Sequence, residues 1–408
     1  MKIILKIAWR NIWRNPRRTW VLITSIAVGI IGYLGTTAFS RGLLQQMVES
    51  SINLHGGHIM ITAKGYQENP QIRLFINDPA KVEQALIETP EIDYAPLVSF
   101  QGMISSSETA AGVVINGVAP EQESKITVIA ASIVEGNYLG RDNGNHEIVL
   151  SEELAKKLNV RLGEKVVLMM SALDNNINSG AYRVVGLFRT VSPDFDKAYV
   201  YLHLQQARAL AGYSEQLTGF TVRLKNALDP DVKMAVLKDK LSNEDLEILS
   251  WRDRNPLLVL SLEAYDNSIV IIVLILFVAI AFSIANSFLM VIYERIHELG
   301  IMMANGVLPR KIRRMLYAEA FFLTLIGTLT GLAFSGVIFG YLGHVGLDLS
   351  AFAQGLGKFG VGAIVYPQVA ADDLIIGLVT INVVVFLSVL YPAFKASRFQ
   401  VVDAIRFV

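Results

Sequence analysis

The chain has 408 residues, of which 52% are hydrophobic and 18% charged, with a formal net charge of zero. Globular chains average about 25% charged residues, so this balance argues against a purely soluble protein. The absence of cysteine excludes disulfide staples, thiolate metal sites and a cysteine nucleophile.

In chain order, residues 1–18 predict a cytoplasmic amphipathic helix. Lys2, Lys6, Arg10, Arg14 and Arg18 recur every four residues, with Leu5, Trp9, Ile12 and Trp13 on the adjacent face. Basic heads beside Trp and Leu suit a helix lying in the membrane interface. Asn15-Pro16 then breaks it, and residues 19–40 form the first span, uncharged from 20 to 39. The other spans are 268–293, 320–342 and 374–394, each without a charge. Residues 1–19 hold Lys2, Lys6, Arg10, Arg14, Arg17 and Arg18 with no acid, and five basic residues lie in 294–319. By the excess of Lys and Arg in short cytoplasmic flanks, both termini (including the tail 395–408) and the loop 294–319 face the cytoplasm. The segment 41–267 and the short loop 343–373 lie on the far side.

Residues 41–267 carry 21 basic and 29 acidic groups, which is no nucleic-acid surface. Residues 41–51 and 257–267 lack breakers after Gly42, so the flanking span helices are expected to continue beyond the bilayer. Between them strand-like runs (58–62, 112–117, 147–150, 165–170, 182–188, 198–202, 219–224) alternate with helices at 79–88, 152–158 and 204–211. Ser151 is the expected N-cap of the second of these. Turns are expected at 142–145, 175–180 and after Pro193. The fold class is therefore a polytopic α-helical membrane protein, four spans in a 1+3 arrangement, with a large extracytoplasmic α+β domain of two subdomains. The inserted subdomain is expected at about 130–215.

Catalytic motifs are missing: no phosphate loop, no G-x-S-x-G elbow and no H-E-x-x-H occurs. No metal site is expected at His55, His58 or His146, and Asp194 and Asp196 read as a solvated turn. The spans contain no ionisable residue, so no coupling-ion path is visible; Asn286 and Asn382 suit hydrogen bonds between helices. Gly327, Gly331 and Ser335, followed by Gly336 and Gly340, form a small-residue series for close helix packing, within the chain or against another subunit. The cytoplasmic loop is the most informative stretch. Glu294, Arg295, His297 and Glu298 precede Leu299, Gly300, the apolar Ile301-Met302-Met303, Ala304 and Gly306. An apolar run with small residues suits a short helix seated in a cleft of another protein.

Glu294, Arg295, Glu298, Leu299, Gly300, Ala304 and Gly306 match a signature E-R-x-x-E-[IL]-G-x-x-x-A-x-G, and here the sequence resembles the MacB/FtsX superfamily of ABC transporter permeases. The closing segment from Tyr391-Pro392-Ala393 through Arg406, and residues 147–166 and 182–187, resemble the same family. The resemblance implies a homo- or heteromeric permease pair bound to an ABC ATPase dimer, with the loop as its coupling helix. It further implies no enzyme activity and no cofactor in this chain, ATP and magnesium being held by the partner. Within the family, residues 55–70 look most like lipoprotein-releasing (Lol-type) permeases of the bacterial inner membrane. That implies a lipoprotein substrate, a periplasmic carrier and contact with membrane lipid. The acyl surface would then be Ile31, Leu34 and Phe39, with Ile269, Val273 and Leu276 facing them. The alternative is a mechanotransmission permease that exports an antibiotic or peptide, or activates a cell-wall hydrolase.

Overall fold

The computed structural model describes residues 2–140, 146–225, 230–242 and 245–398. The expected turn at 142–145 and the closing residues Val402, Ala404 and Arg406 lie outside them. Two compact units emerge: one from the residues up to Leu44, Leu262–Asp348 and those from Ile364 onward, the other from Gln45–Ser261 with Leu349–Ala363.

The first unit is helical. A helix Lys2–Arg14 stops at Asn15, and a long helix starts at Pro16. Proline costs little at a first-turn position, where its missing N–H has no intrahelical partner. Among the described residues, four helices are long and apolar enough to cross a membrane: Pro16–Leu54, Pro256–Glu294, Pro309–Val345 and Ala371–Ala396. The first two extend well past the apolar stretches 19–40 and 268–293. Glycines set how closely the helices approach. A Cβ on Gly327 would stand 2.8 Å from the Ile26 Cβ, and one on Gly331 would stand 3.0 Å from the Ala27 Cα. Ser335, one turn further on, is also buried. Gly327, Gly331 and Ser335 are thus the seam between the third long helix and the first, within one chain. Gly336 and Gly340 meet nothing within 4 Å, so they lie outside this seam. Asn382 donates to Leu378 O of its own helix (2.7 Å), and the expected bond between helices is replaced by one inside a helix.

The second unit is built on β-strands β1 (Ile59–Ala63), β2 (Ile92–Ser105), β3 (Ala110–Val118), β4 (Ile133–Gly136), β5 (Glu147–Ser151), β6 (Lys165–Ser171), β7 (Ile177–Phe188), β8 (Tyr199–His203), β9 (Gly219–Leu224) and β10 (Leu246–Ser250). All belong to one ladder, in the order β10-β1-β9-β2-β3-β8-β5-β7-β4, and β6 pairs with both β2 and β7. The second pairing of β6 closes β2, β3, β8, β5, β7 and β6 into a ring, which removes their open edges. The strands of 130–215 therefore pair continuously with those around them. The long β2 makes this possible: residues 92–97 pair with β9 while residues 103–105 pair with β6. Alternation buries Val98, Phe100 and Ile104 on one face of β2. Ser151 accepts from Leu154 N (3.0 Å) at the helix Glu152–Leu158, as an N-cap does. The turn expected at 175–180 is shorter, because residues from Ile177 onward are already in β7. Asp196 is no solvated turn residue either. It is buried and accepts from Thr190 N (3.0 Å) and Thr190 Oγ1 (2.7 Å), and burial raises its pKa.

Candidate functional site

The second long helix ends at Glu294, Arg295 leaves helical geometry, and a short helix runs Ile296–Ala304. Its end is a left-handed glycine cap. Gly306 has φ +84°, its N–H donates to Met303 O (3.0 Å), and Val307 N–H donates to Met302 O (3.0 Å). Those two bonds satisfy carbonyls that a helix end leaves free. Gly306 is therefore required by the turn itself, and Pro309 then opens the third long helix.

The short helix has two distinct faces. Ile296, Leu299 and Gly300 are buried, and Met302, Met303 and Val307 pack partly buried against the core of the helical unit. His297, Ile301, Ala304 and Asn305 are exposed, Ile301 at 44%. Gly300 faces into the protein, which corrects the expectation that it gives a partner close approach. The outward apolar position is Ile301, with Ala304 one turn on and Leu308 beyond the cap.

Glu294, Arg295 and Glu298 reach groups of the same unit, whereas Arg310, Lys311 and Arg314 are exposed. Glu294 pairs with Arg18 and Glu298 with Arg14. Two members of the amino-terminal basic stripe are thus ion-pair partners of the loop. Lys6 and Arg10 stay exposed, as do Trp9 and Trp13. The hydrogen bond from Arg14, aided by Arg295, holds the Glu298 carboxyl below its usual range against partial burial. Arg295 also donates from Nη1 to both oxygens of Glu319 (3.2 Å each), and Asn11 Nδ2 donates to Glu319 Oε1 (2.6 Å). The Glu319 side chain is only 5% exposed and that of Arg295 11%. Three segments distant in sequence are therefore joined through one buried carboxylate. Glu319 was not among the sequence candidates, although an acid directly before the uncharged run 320–342 was a signal available to reading.

The expected acyl-contact residues divide. Leu34 lies in the helical core at 2% exposure, which excludes it from any lipid surface. Val273 and Leu276 pack partly buried against the same core, with Leu276 Cδ1 3.3 Å from where a Cβ on Gly32 would sit. Ile31, Phe39 and Ile269 are half-buried. Val270, Ile271, Ile272, Leu274 and Ile275 are strongly exposed apolar residues of this stretch. Among the described residues, no group of three or more His, Cys, Asp or Glu is arranged to hold a metal ion.

A helical unit with long apolar helices, and a β-rich unit inserted in the chain between the first two of them, is the arrangement of a membrane permease with a large extracytoplasmic domain. Residues 19–240 match the MacB-like periplasmic core domain, and residues 269–401 match the FtsX-like permease C-terminal family. The chain belongs to this MacB/FtsX-like permease family and is an inner-membrane protein with a periplasmic domain. It is 24% identical over 326 residues to the "Lipoprotein-releasing system transmembrane protein LolC" of Neisseria meningitidis serogroup B, covering 77% of each chain. It is 23% identical over 401 residues to LolC of Xylella fastidiosa, covering 94% of this chain and 92% of the relative. It is also 22% identical to the "Macrolide export ATP-binding/permease protein MacB" of Escherichia coli, over 81% of this chain and 51% of that protein.

Proposed function

We propose that this chain is the permease of an ABC transporter whose ATPase is a separate subunit, seated on the exposed face of the helix Ile296–Ala304, and that its cargo is a lipoprotein. Its termini and this helix face the cytoplasm, and it acts as a pair, homo- or heteromeric. The observation that carries the reading is the division of the short helix. Its charged and buried sides are held by the chain itself, while Ile301, Ala304 and Leu308 leave an apolar strip for a partner. The Lol-type relatives support the lipoprotein cargo. An ATP-driven machine suits that cargo: at about 0.8 kcal/mol per buried CH₂, a 16-carbon chain is held by roughly 12 kcal/mol. Nucleotide-driven movement of the ATPase would reach the periplasmic unit through the helices Pro16–Leu54 and Pro256–Glu294, each unbroken over 39 residues. The likeness to the macrolide exporter favours a second reading, in which the same movement drives export of a small molecule.

Reconstitution with the neighbouring ABC ATPase tests both parts. The expected result is co-purification with the ATPase, lipoprotein-stimulated ATP hydrolysis, and release of lipoprotein to a periplasmic carrier upon ATP addition. Failure to retain any ATPase would overturn the transporter reading. Normal turnover with no lipoprotein released would overturn the cargo and favour the second reading.

A further inference from the structure

The periplasmic unit contains a cavity of ≈ 380 Å³. Its size falls in the range of small-molecule sites, roughly 300–1,000 Å³. Met60, Tyr66, Phe100 and Tyr199 supply apolar wall, and the charged lining residues are Glu123 and Arg254.

Arg254 is held from one side by the turn His55-Gly56-Gly57-His58. Its Nη1 donates to His55 O, and its Nη2 donates to Gly57 O (2.6 Å). Both carbonyls can converge because Gly56 and Gly57 adopt φ +85° and +80°, a region side chains with a Cβ rarely enter. Nη1 also lies 3.8 Å from the Met60 Sδ. A guanidinium has five N–H donors in a planar fork, and these contacts occupy three. Nε is buried and has no hydrogen-bond partner. Among the described residues no carboxylate pairs with Arg254. Burial pushes its pKa down only to about 10, so it carries its charge at neutral pH. Glu123 does not answer the cation, since its carboxylate already accepts from Tyr138 Oη (2.5 Å) and from Thr127 Oγ1. Arg254 is half-buried, and Asp253 acts on it through space without a direct ion pair; its buried Nε donor is left unmade, which is costly, and a carboxylate is the group that a guanidinium edge fits in two-point fashion.

We infer that this cavity is a binding site for a small amphiphilic monocarboxylate, its carboxylate on Arg254 and its apolar tail among Met60, Tyr66, Phe100 and Tyr199. A carboxylate there supplies the direct ion pair that Arg254 lacks among the described residues. The site belongs to the periplasmic unit and does not depend on the transported cargo.

The test is equilibrium dialysis of radiolabelled octanoate against the full-length protein in nanodiscs of zwitterionic lipid, with octanamide as the uncharged analogue. Saturable binding at one site per chain is expected. Loss of a charge-assisted hydrogen-bonded contact should weaken it by about tenfold or more in Arg254→Met, and for octanamide relative to octanoate. Because Arg254→Met also loosens the 55–57 turn, Gln101→Trp provides a second variant; Gln101 lines the cavity from an exposed position. It should block octanoate with Arg254 intact. Uptake that never saturates, or octanoate binding unchanged in both variants, would overturn the site.

Discussion

Glu298 and Glu319 both reach Arg295, and they do different work. Glu319 is buried, takes both of its Arg295 bonds at 3.2 Å, and accepts from Asn11 as well. Glu298 is 45% exposed, sits 3.4 Å from Arg295, and has Arg14 as its main partner. A buried pair is expensive to break because the survivor is left charged and dry. An exposed pair is worth about 0–1 kcal/mol, since water and salt compete for it. The comparison separates a pin, which sets where the helix Ile296–Ala304 stands, from a tether, which only biases it.

The contrast can be broken or sharpened by substitution. The largest loss is expected for Glu319→Ala, about 3–5 kcal/mol from stranding Arg295, read as thermal unfolding of the purified protein in detergent. Survival at wild-type stability would mean that the pin is no pin. Gly331→Leu, in the seam against Ala27 and Ile30, should cost about 1–3 kcal/mol by overpacking in the same measurement. Glu298→Gln should cost less than about 1 kcal/mol. Its pH dependence has a definite sign. The folded pKa of Glu298 is depressed, so its contribution is present above the unfolded value of about 4.3 and fades as pH falls through the folded value. The melting difference between wild type and Glu298→Gln should therefore hold from pH 7 to 5 and shrink below about pH 4. Smallest in stability is Ile301→Glu, within about 0.5 kcal/mol for an exposed site. It should nonetheless abolish retention of the partner ATPase; undiminished retention would move the docking face elsewhere.

Much of the periplasmic unit was legible because alternation and turn chemistry act locally. The helix 204–211 and the strand 219–224 stand where hydrophobic period and breakers place them. The longest strand, β2, escaped reading. Pro96 and Gly102 interrupt its sequence, and it changes partners midway, so no short window shows its pattern. In the loop, residue types were readable and directions were not. Gly300 turned inward and Gly306 became a cap, because a nine-residue helix shows a partner only the face its own chain leaves uncovered.

The apolar runs, the basic flanks and the E-R-x-x-E loop were written into the chain, since bilayer thickness, helix period and charge asymmetry are properties of contiguous residues. Only the fold could join Asn11, Arg295 and Glu319, or bring Arg254 beneath the 55–57 turn. Those groups lie up to 308 residues apart along the chain. Their pairing follows from which helices and strands pack together, and no local spacing records that.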